Sequence, residues 1–167
     1  GLGVIASRAE ALNRFVGAYA TLAKLPRPRS EPVHVAPLLR RVAELESRLP
    51  VAVEAGPDVT VHADRDQLEQ LLINLVRNAA DAGLESGGGV RICWTADDGA
   101  LELSVSDDGP GLPDTANLFV PFFTTKPGGS GVGLFLCRQI AEAHGGTIDL
   151  VNRTDGPGCT AVLRLPL

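Results

Sequence analysis

The chain has no methionine and few rings: aromatic residues make up 4% of its 167 positions, with one Trp and one Tyr. Any clustering of aromatics therefore stands out. The missing methionine and the Gly1-Leu2 start predict a processed or excised fragment. No apolar run is long enough to span a bilayer, so no membrane contact is expected of this stretch. Basic clusters are lacking too, and a formal charge of −5 with a pI near 5.1 argues against nucleic acid as the main partner. Cys93, Cys137 and Cys159 are odd in number, lack CxxC spacing and lie in apolar surroundings. They read as core thiols in a reducing cytosol, not as a metal or redox site. At this length the chain can bury one good core with an appended element, but not two full domains.

What is present concentrates between Asp107 and Leu134. The stretch runs Asp107-Asp108-Gly109-Pro110-Gly111, then Leu118-Phe119-Val120-Pro121-Phe122-Phe123-Thr124-Thr125-Lys126, then Gly128-Gly129-Ser130-Gly131-Val132-Gly133-Leu134. Three of the five Phe fall here, on a loop, where an apolar cluster needs something to close over. A strand-like run (Leu101 to Val105) precedes the loop and a helix-like run (Leu134 to His144) follows, so the glycine clusters are hinges of a lid. The second cluster opens a helix, whose free N–H groups and dipole attract phosphate, and glycine lets the backbone come close. The familiar phosphate loops do not fit. There is no Gly-x-x-x-x-Gly-Lys-Ser/Thr, Leu134 stands where a dinucleotide fingerprint has its third glycine, and no His-Arg-Asp catalytic loop occurs.

Taken in order, residues 2–24 carry Leu2, Ile5, Ala9, Leu12, Val16, Tyr19 and Leu22 at spacings of three and four, the stripe of an amphipathic helix. The proline-rich run from Leu25 to Pro32 ends it and reads as an interdomain linker. Val33-His34-Val35 reads as a short strand, and Ala36 to Leu49 as a helix with Leu38, Leu39, Val42 and Leu45 inside. Val51–Glu54 and Val59–His62 read as strands around a Gly56-Pro57-Asp58 turn. Asp64 is an N-cap for a helix from Arg65 to Gly83, and Asn74 and Asn78 fall on the margin of its apolar face. Val90–Ala96 and Leu101–Val105 form a hairpin around Asp97-Asp98-Gly99 that delivers Asp107, while Asp108 reads as solvated. Gly145-Gly146 caps the helix after the lid, and two more strands, Thr147–Val151 and Cys159–Leu165, flank Gly156-Pro157-Gly158. The fold class is then α/β: a two-layer sandwich with a mixed sheet of about five strands, three helices and a lid.

The ordered set of Asp-x-Gly-x-Gly, a Phe-rich box and Gly-x-Gly-x-Gly, with Asn74-Leu75-Val76-Arg77-Asn78 upstream, resembles the catalytic domain of bacterial sensor histidine kinases. That domain lies within the superfamily shared with DNA gyrase, a heat-shock chaperone and a mismatch-repair protein. The resemblance implies residues 1–27 as the end of a dimerisation helix and its linker, and residues 28–167 as an ATP-binding kinase domain. By the same resemblance Asn78 ligates Mg²⁺ on ATP, and Asp107 accepts from the adenine amino group. Gly109, Gly111, Lys126, Gly129, Gly131, Gly133, Leu134 and Thr160 contact the nucleotide. Asn74 stands where the ATP-hydrolysing relatives carry a glutamate that activates water; an amide is no useful base near neutral pH, so transfer is implied in place of hydrolysis. Asp81 departs from the family, many members of which carry a basic residue there, and Lys126 is the replacement predicted. The resemblance implies phosphoryl transfer to a histidine on the dimerisation helix, a homodimer, a response regulator receiver domain as partner, and a cytoplasmic site. His34, His62 and His144 lack the family's acceptor context and read as structural. A serine kinase of the anti-sigma-factor type, or a nucleotide-sensing module without transfer, are the alternatives.

Overall fold

The computed structural model of the chain describes residues 25–112 and 133–167, together with Arg8 and Phe119. The rest of the predicted N-terminal helix and most of the predicted lid, with Lys126, Gly129 and Gly131, lie outside the described residues. In chain order the elements are β1 (Glu31–His34), α1 (Val35–Leu45), β2 (Val51–Val53), β3 (Thr60–Ala63), α2 (Arg65–Ser86), β4 (Val90–Asp97), β5 (Ala100–Asp107), α3 (Gly133–Ala143), β6 (Thr147–Asn152) and β7 (Cys159–Pro166).

The five-stranded sheet runs in the order β2-β4-β5-β7-β6. β2 lies parallel to β4, and the remaining pairs are antiparallel. Alternation along β5 sends Leu101, Leu103, Val105 and Asp107 inward and leaves Glu102 in solvent. Asp98 and Gly99 take φ of 50° and 72°, the primed turn that matches the twist of a tight hairpin. Three helices cover one face of the sheet. Leu38, Leu39 and Val42 of α1, Leu71, Leu72 and Leu75 of α2, and Cys137 and Ile140 of α3 meet Ile92, Leu103 and Leu163 in one core. The result is the expected two-layer α/β sandwich.

Three local expectations change. α1 stops at Leu45 because Glu46 turns extended (φ −88°, ψ 110°), its carboxylate taking the Arg48 N–H at 3.1 Å and the Arg48 guanidinium. Leu45 is therefore 55% exposed instead of buried. The runs on either side of Gly56-Pro57-Asp58 do not pair with each other: β2 joins the large sheet, while β3 pairs antiparallel with β1 in a separate two-stranded sheet. The turn between them is pinned by Trp94, whose Nε1 donates to the Pro57 carbonyl at 2.9 Å. The proline-rich linker, finally, is docked onto the domain. Leu25 packs partly against the core, Gln67 Nε2 donates to the Pro26 carbonyl at 2.8 Å, and Arg29 N–H donates to Asp64 Oδ2 at 2.9 Å.

Candidate functional site

The site is built where β5 ends. Asp107 is 6% exposed, and its Oδ1 accepts from the backbone N–H of Gly109 at 2.9 Å and of Cys159 at 3.3 Å. Its other oxygen carries no hydrogen bond among the described residues. One oxygen is thus fixed by the fold, and among the described residues the other is unengaged. Burial raises the Asp107 pKa above the ordinary carboxylate value, with the Asp108 charge adding to the rise, the two N–H groups and Arg153 opposing it. Two glycines make this geometry possible. A side chain at Gly109 would meet the Ala82 Cβ of α2 at 2.7 Å, so the turn lies directly on that helix. Gly158 (φ 119°) lets the β6–β7 turn come against the Asp107 carbonyl, where any side chain would clash with it.

α2 forms the facing wall. Asp64 caps it, Oδ1 accepting from Gln67 N–H at 3.1 Å, so that Leu71, Leu72 and Leu75 face the core. Asn74 and Asn78 then lie half-buried on its margin, one turn apart and one turn before Ala82. The Asn74 carboxamide lies against Gly133, the first residue of α3, its Oδ1 3.8 Å from where a side chain there would begin. Gly133 and the partly buried Leu134 open α3, so the helix's free N–H groups and positive dipole end border Asn74. Phe119 packs partly against the core, with the Arg138 guanidinium 5.7 Å over its ring. Gly111 takes φ 85° at the far end of the Asp107 turn.

Along α2, then, Asn74 borders Gly133 at the start of α3, Asn78 stands one turn before the Ala82 that Gly109 of the Asp107 turn lies on, Gly111 ends that turn and Leu134 follows Gly133, while Thr160 stands apart. Thr160 Oγ1 pairs with Ser106 Oγ at 2.9 Å, and Ser106 alternates with Asp107 along β5, so that hydroxyl sits on the opposite face of the sheet. The neighbour on Asp107's own face is Cys159, whose thiol is pushed up to about 12 by burial and by the Asp107 charge.

Several contributors were not marked by sequence pattern. Asp108 is not merely solvated: it takes the Gly89 N–H at 3.4 Å and an ion pair from Arg153, which together lower its pKa. Arg153 also donates to the Asp107 carbonyl at 3.4 Å and forks onto both oxygens of Asp155. Asn152 clamps Leu112, accepting its N–H at 2.7 Å and donating to its carbonyl at 3.3 Å. Asp81 meets a cation after all: Arg48 Nη1 reaches its carboxylate at 2.6 Å, from the segment between α1 and β2. Cys137 and Cys159 are buried, but Cys93 is half-exposed on the outer sheet face, its thiol donating to Glu54 Oε2 at 3.1 Å. Among the described residues no group of three or more His, Cys, Asp or Glu could hold a metal ion.

Known proteins share this fold. The solved catalytic domain of histidine kinase ThkA is 32% identical and superposes with a TM-score of 0.74, over 83% of this chain and 95% of that one. The sensory histidine kinase/phosphatase NtrB of Azospirillum brasilense is 44% identical over 105 residues, 53% of this chain and 26% of NtrB. Sensor histidine kinase ZraS of Escherichia coli K12 is 32% identical over 98% of this chain and 37% of its own length. The chain thus spans about a quarter to just over a third of these curated relatives. Residues 63–167, which run from the end of β3 through the Asp107 turn to β7, match the family described as histidine kinase-, DNA gyrase B-, and HSP90-like ATPase, and to that family, in its histidine kinase branch, this chain belongs.

Proposed function

We propose that this chain binds Mg-ATP and serves as the catalytic part of a sensor histidine kinase, passing the γ-phosphoryl to a histidine on the dimerisation helices of the same protein. The observation that carries the reading is Asp107: a buried carboxylate with one oxygen held by two backbone N–H groups and the other unengaged among the described residues. That free oxygen accepts the adenine amino group, and α2 with the start of α3 receives the phosphates. The N–H groups at Gly133 and Leu134 favour phosphate oxygens through the helix dipole. Asn78 offers one neutral oxygen, which fits an ion that keeps most of its waters and draws its charge from phosphate. Bound there, Mg²⁺ would neutralise charge on the phosphate oxygens.

The chemistry asked of the protein is small: phosphoryl transfer needs positioning and charge neutralisation more than proton transfer. Asn74, half-buried against the start of α3, suits that role and offers no base to a water molecule. A response regulator receiver domain is the partner that takes the phosphoryl group onward. ThkA has been solved in complex with its response regulator protein TrrA, and this chain aligns with 49% of that kinase at a TM-score of 0.78. The helices dimerise in the full-length protein, and the catalytic part lies in the cytoplasm. No helix among the described residues is long and apolar enough to cross a membrane.

Asn78→Ala is the test. It should weaken ATP binding in the presence of Mg²⁺ while leaving the melting temperature near wild type, because a carboxamide at the margin adds little to the core. Calorimetric titration with unchanged affinity would remove Asn78 from the metal.

A further inference from the structure

We propose that Asn152 and Arg153, adjacent residues at the end of β6, are positioning residues that hold the base-reading turn of the site from its two ends. The proposal deepens the reading of Asp107 as the adenine acceptor and rests on it. The turn from Asp108 to Leu112 carries no strand or helix pairing; Gly109 and Gly111 give its backbone little preference for one shape, and Pro110, though it fixes its own φ, has no N–H to pair. Something outside the turn must fix it. Arg153 holds the near end: its guanidinium is locked by the two-point fork onto Asp155 (3.1 and 3.2 Å), leaving Nη1 to take the Asp107 carbonyl at 3.4 Å and the Asp108 carboxylate. Its own N–H donates to the Gly158 carbonyl at 3.0 Å, which keeps Cys159 N–H in place on Asp107 Oδ1. Asn152 holds the far end, replacing a missing strand partner by accepting from and donating to the Leu112 backbone. The Arg153 side chain is only 14% exposed, but its carboxylate partners Asp108 and Asp155 are 45% and 74% exposed, so what the fork supplies is a fixed direction more than energy.

Neither residue touches the base. Both act through Asp107, whose free oxygen is aimed only as well as its carbonyl and its bonded oxygen are held. A mere brace for the β6–β7 turn would predict something different: a loss of stability that weakens every nucleotide alike. The two cases separate on base preference. The 167-residue chain, with Arg153→Gln and Asn152→Ala variants, is titrated calorimetrically with ATP and with GTP in the presence of Mg²⁺, and the nucleotide-free melting temperatures are measured alongside. Wild type prefers ATP, since GTP presents an acceptor where ATP presents an amino donor. Arg153→Gln should weaken ATP about tenfold, the equivalent of one lost hydrogen bond, while GTP affinity stays put and the preference narrows. Asn152→Ala, at an exposed position that the fold tolerates, should narrow it in the same direction, and decides the matter if the Arg153 variant does not fold. Equal losses for ATP and GTP, or a preference unchanged in folded variants beside a selective wild type, would overturn the proposal alone. A wild type that binds neither nucleotide would remove the reading of the site together with the proposal.

Discussion

At the scale of single residues, Asp107 works against the stability of its own domain. Burial raises its pKa from the usual 3.8, so the folded chain holds that proton more tightly than the unfolded chain. Its stabilising contribution is full below the unfolded value and is lost as pH rises through the raised folded value. If Asp107 is the adenine acceptor, nucleotide binding runs the other way. With Oδ1 occupied by two N–H donors, a proton on the carboxyl resides on Oδ2, which then offers a donor to an amino group that needs an acceptor. As pH rises from the ordinary carboxylate range through the raised Asp107 value, ATP affinity should therefore rise while nucleotide-free stability declines. Asp107→Asn keeps an oxygen for Gly109 and Cys159 but turns an amide donor toward the base. It should weaken ATP roughly 10- to 100-fold, improve GTP relative to ATP, and flatten the pH dependence of the melting temperature. An Asn variant that retains wild-type ATP affinity sinks the adenine assignment. Asp107 was legible in the sequence because glycine spacing and the preceding strand mark it. Arg153, Asn152 and Arg48 were not: each reaches a partner more than 30 positions away, and a lone polar residue in a turn has no periodicity to betray it.

At the scale of elements, what sequence pattern made visible were the segments whose burial is periodic. α2, β4, β5, α3 and β7 fall close to their expected places because one face of each is apolar at the right interval. Pairing was less visible. β2 and β3 are only three and four residues long, too short for alternation to say which sheet each joins. The docked linker was also missed, since Leu25–Ser30 is proline-rich and its tethers are backbone groups. Asp64 is where these elements meet: its carboxylate caps α2 and holds Arg29 N–H, and its own N–H donates to His144 Nε2 at 3.0 Å. The Arg29 N–H foremost, opposed by some burial and helped by the cap, lowers the Asp64 pKa, so this tether is present above the unfolded carboxylate value and lost as pH falls through the lowered one. Asp64→Ala removes cap and tether together. It should cost about 1–2 kcal/mol of stability and speed tryptic cleavage after Arg29, whereas Asp64→Asn, which still accepts hydrogen bonds, should slow that cleavage again. A cleavage rate that does not change with Asp64→Ala would mean the linker is held by Gln67 and Leu25 alone.

At the scale of the whole molecule, the three histidines gather at the start of α2 and the proposed nucleotide site lies further along it. His62 stands in β3 just before Asp64, His34 faces Thr60 across the β1–β3 pair, and His144 takes the Asp64 N–H. Its Nδ1 donates to the Ile140 carbonyl at 2.7 Å, so both ring nitrogens of His144 are engaged in holding α3 to the cap of α2. Asn74 and Asn78 are 10 and 14 residues along α2 from Asp64, about 15 and 20 Å at the helical rise. In-line transfer needs the reacting atoms roughly 3 Å apart, far less than that separation. Nor does Asn74 supply a base for attack by water, so bound ATP should be consumed slowly by either route. Incubated with γ-labelled ATP, the chain alone should gain no acid-labile label, and ATP recovered from it should be largely intact. Adding the histidine-bearing dimerisation helices of the same protein in trans should allow transfer, inefficiently, because the effective concentration that a linker provides is lost. Stoichiometric labelling of His34, His62 or His144 in the chain alone would show that the acceptor lies at the start of α2, and would require the phosphates to be bound there instead of beside Asn74.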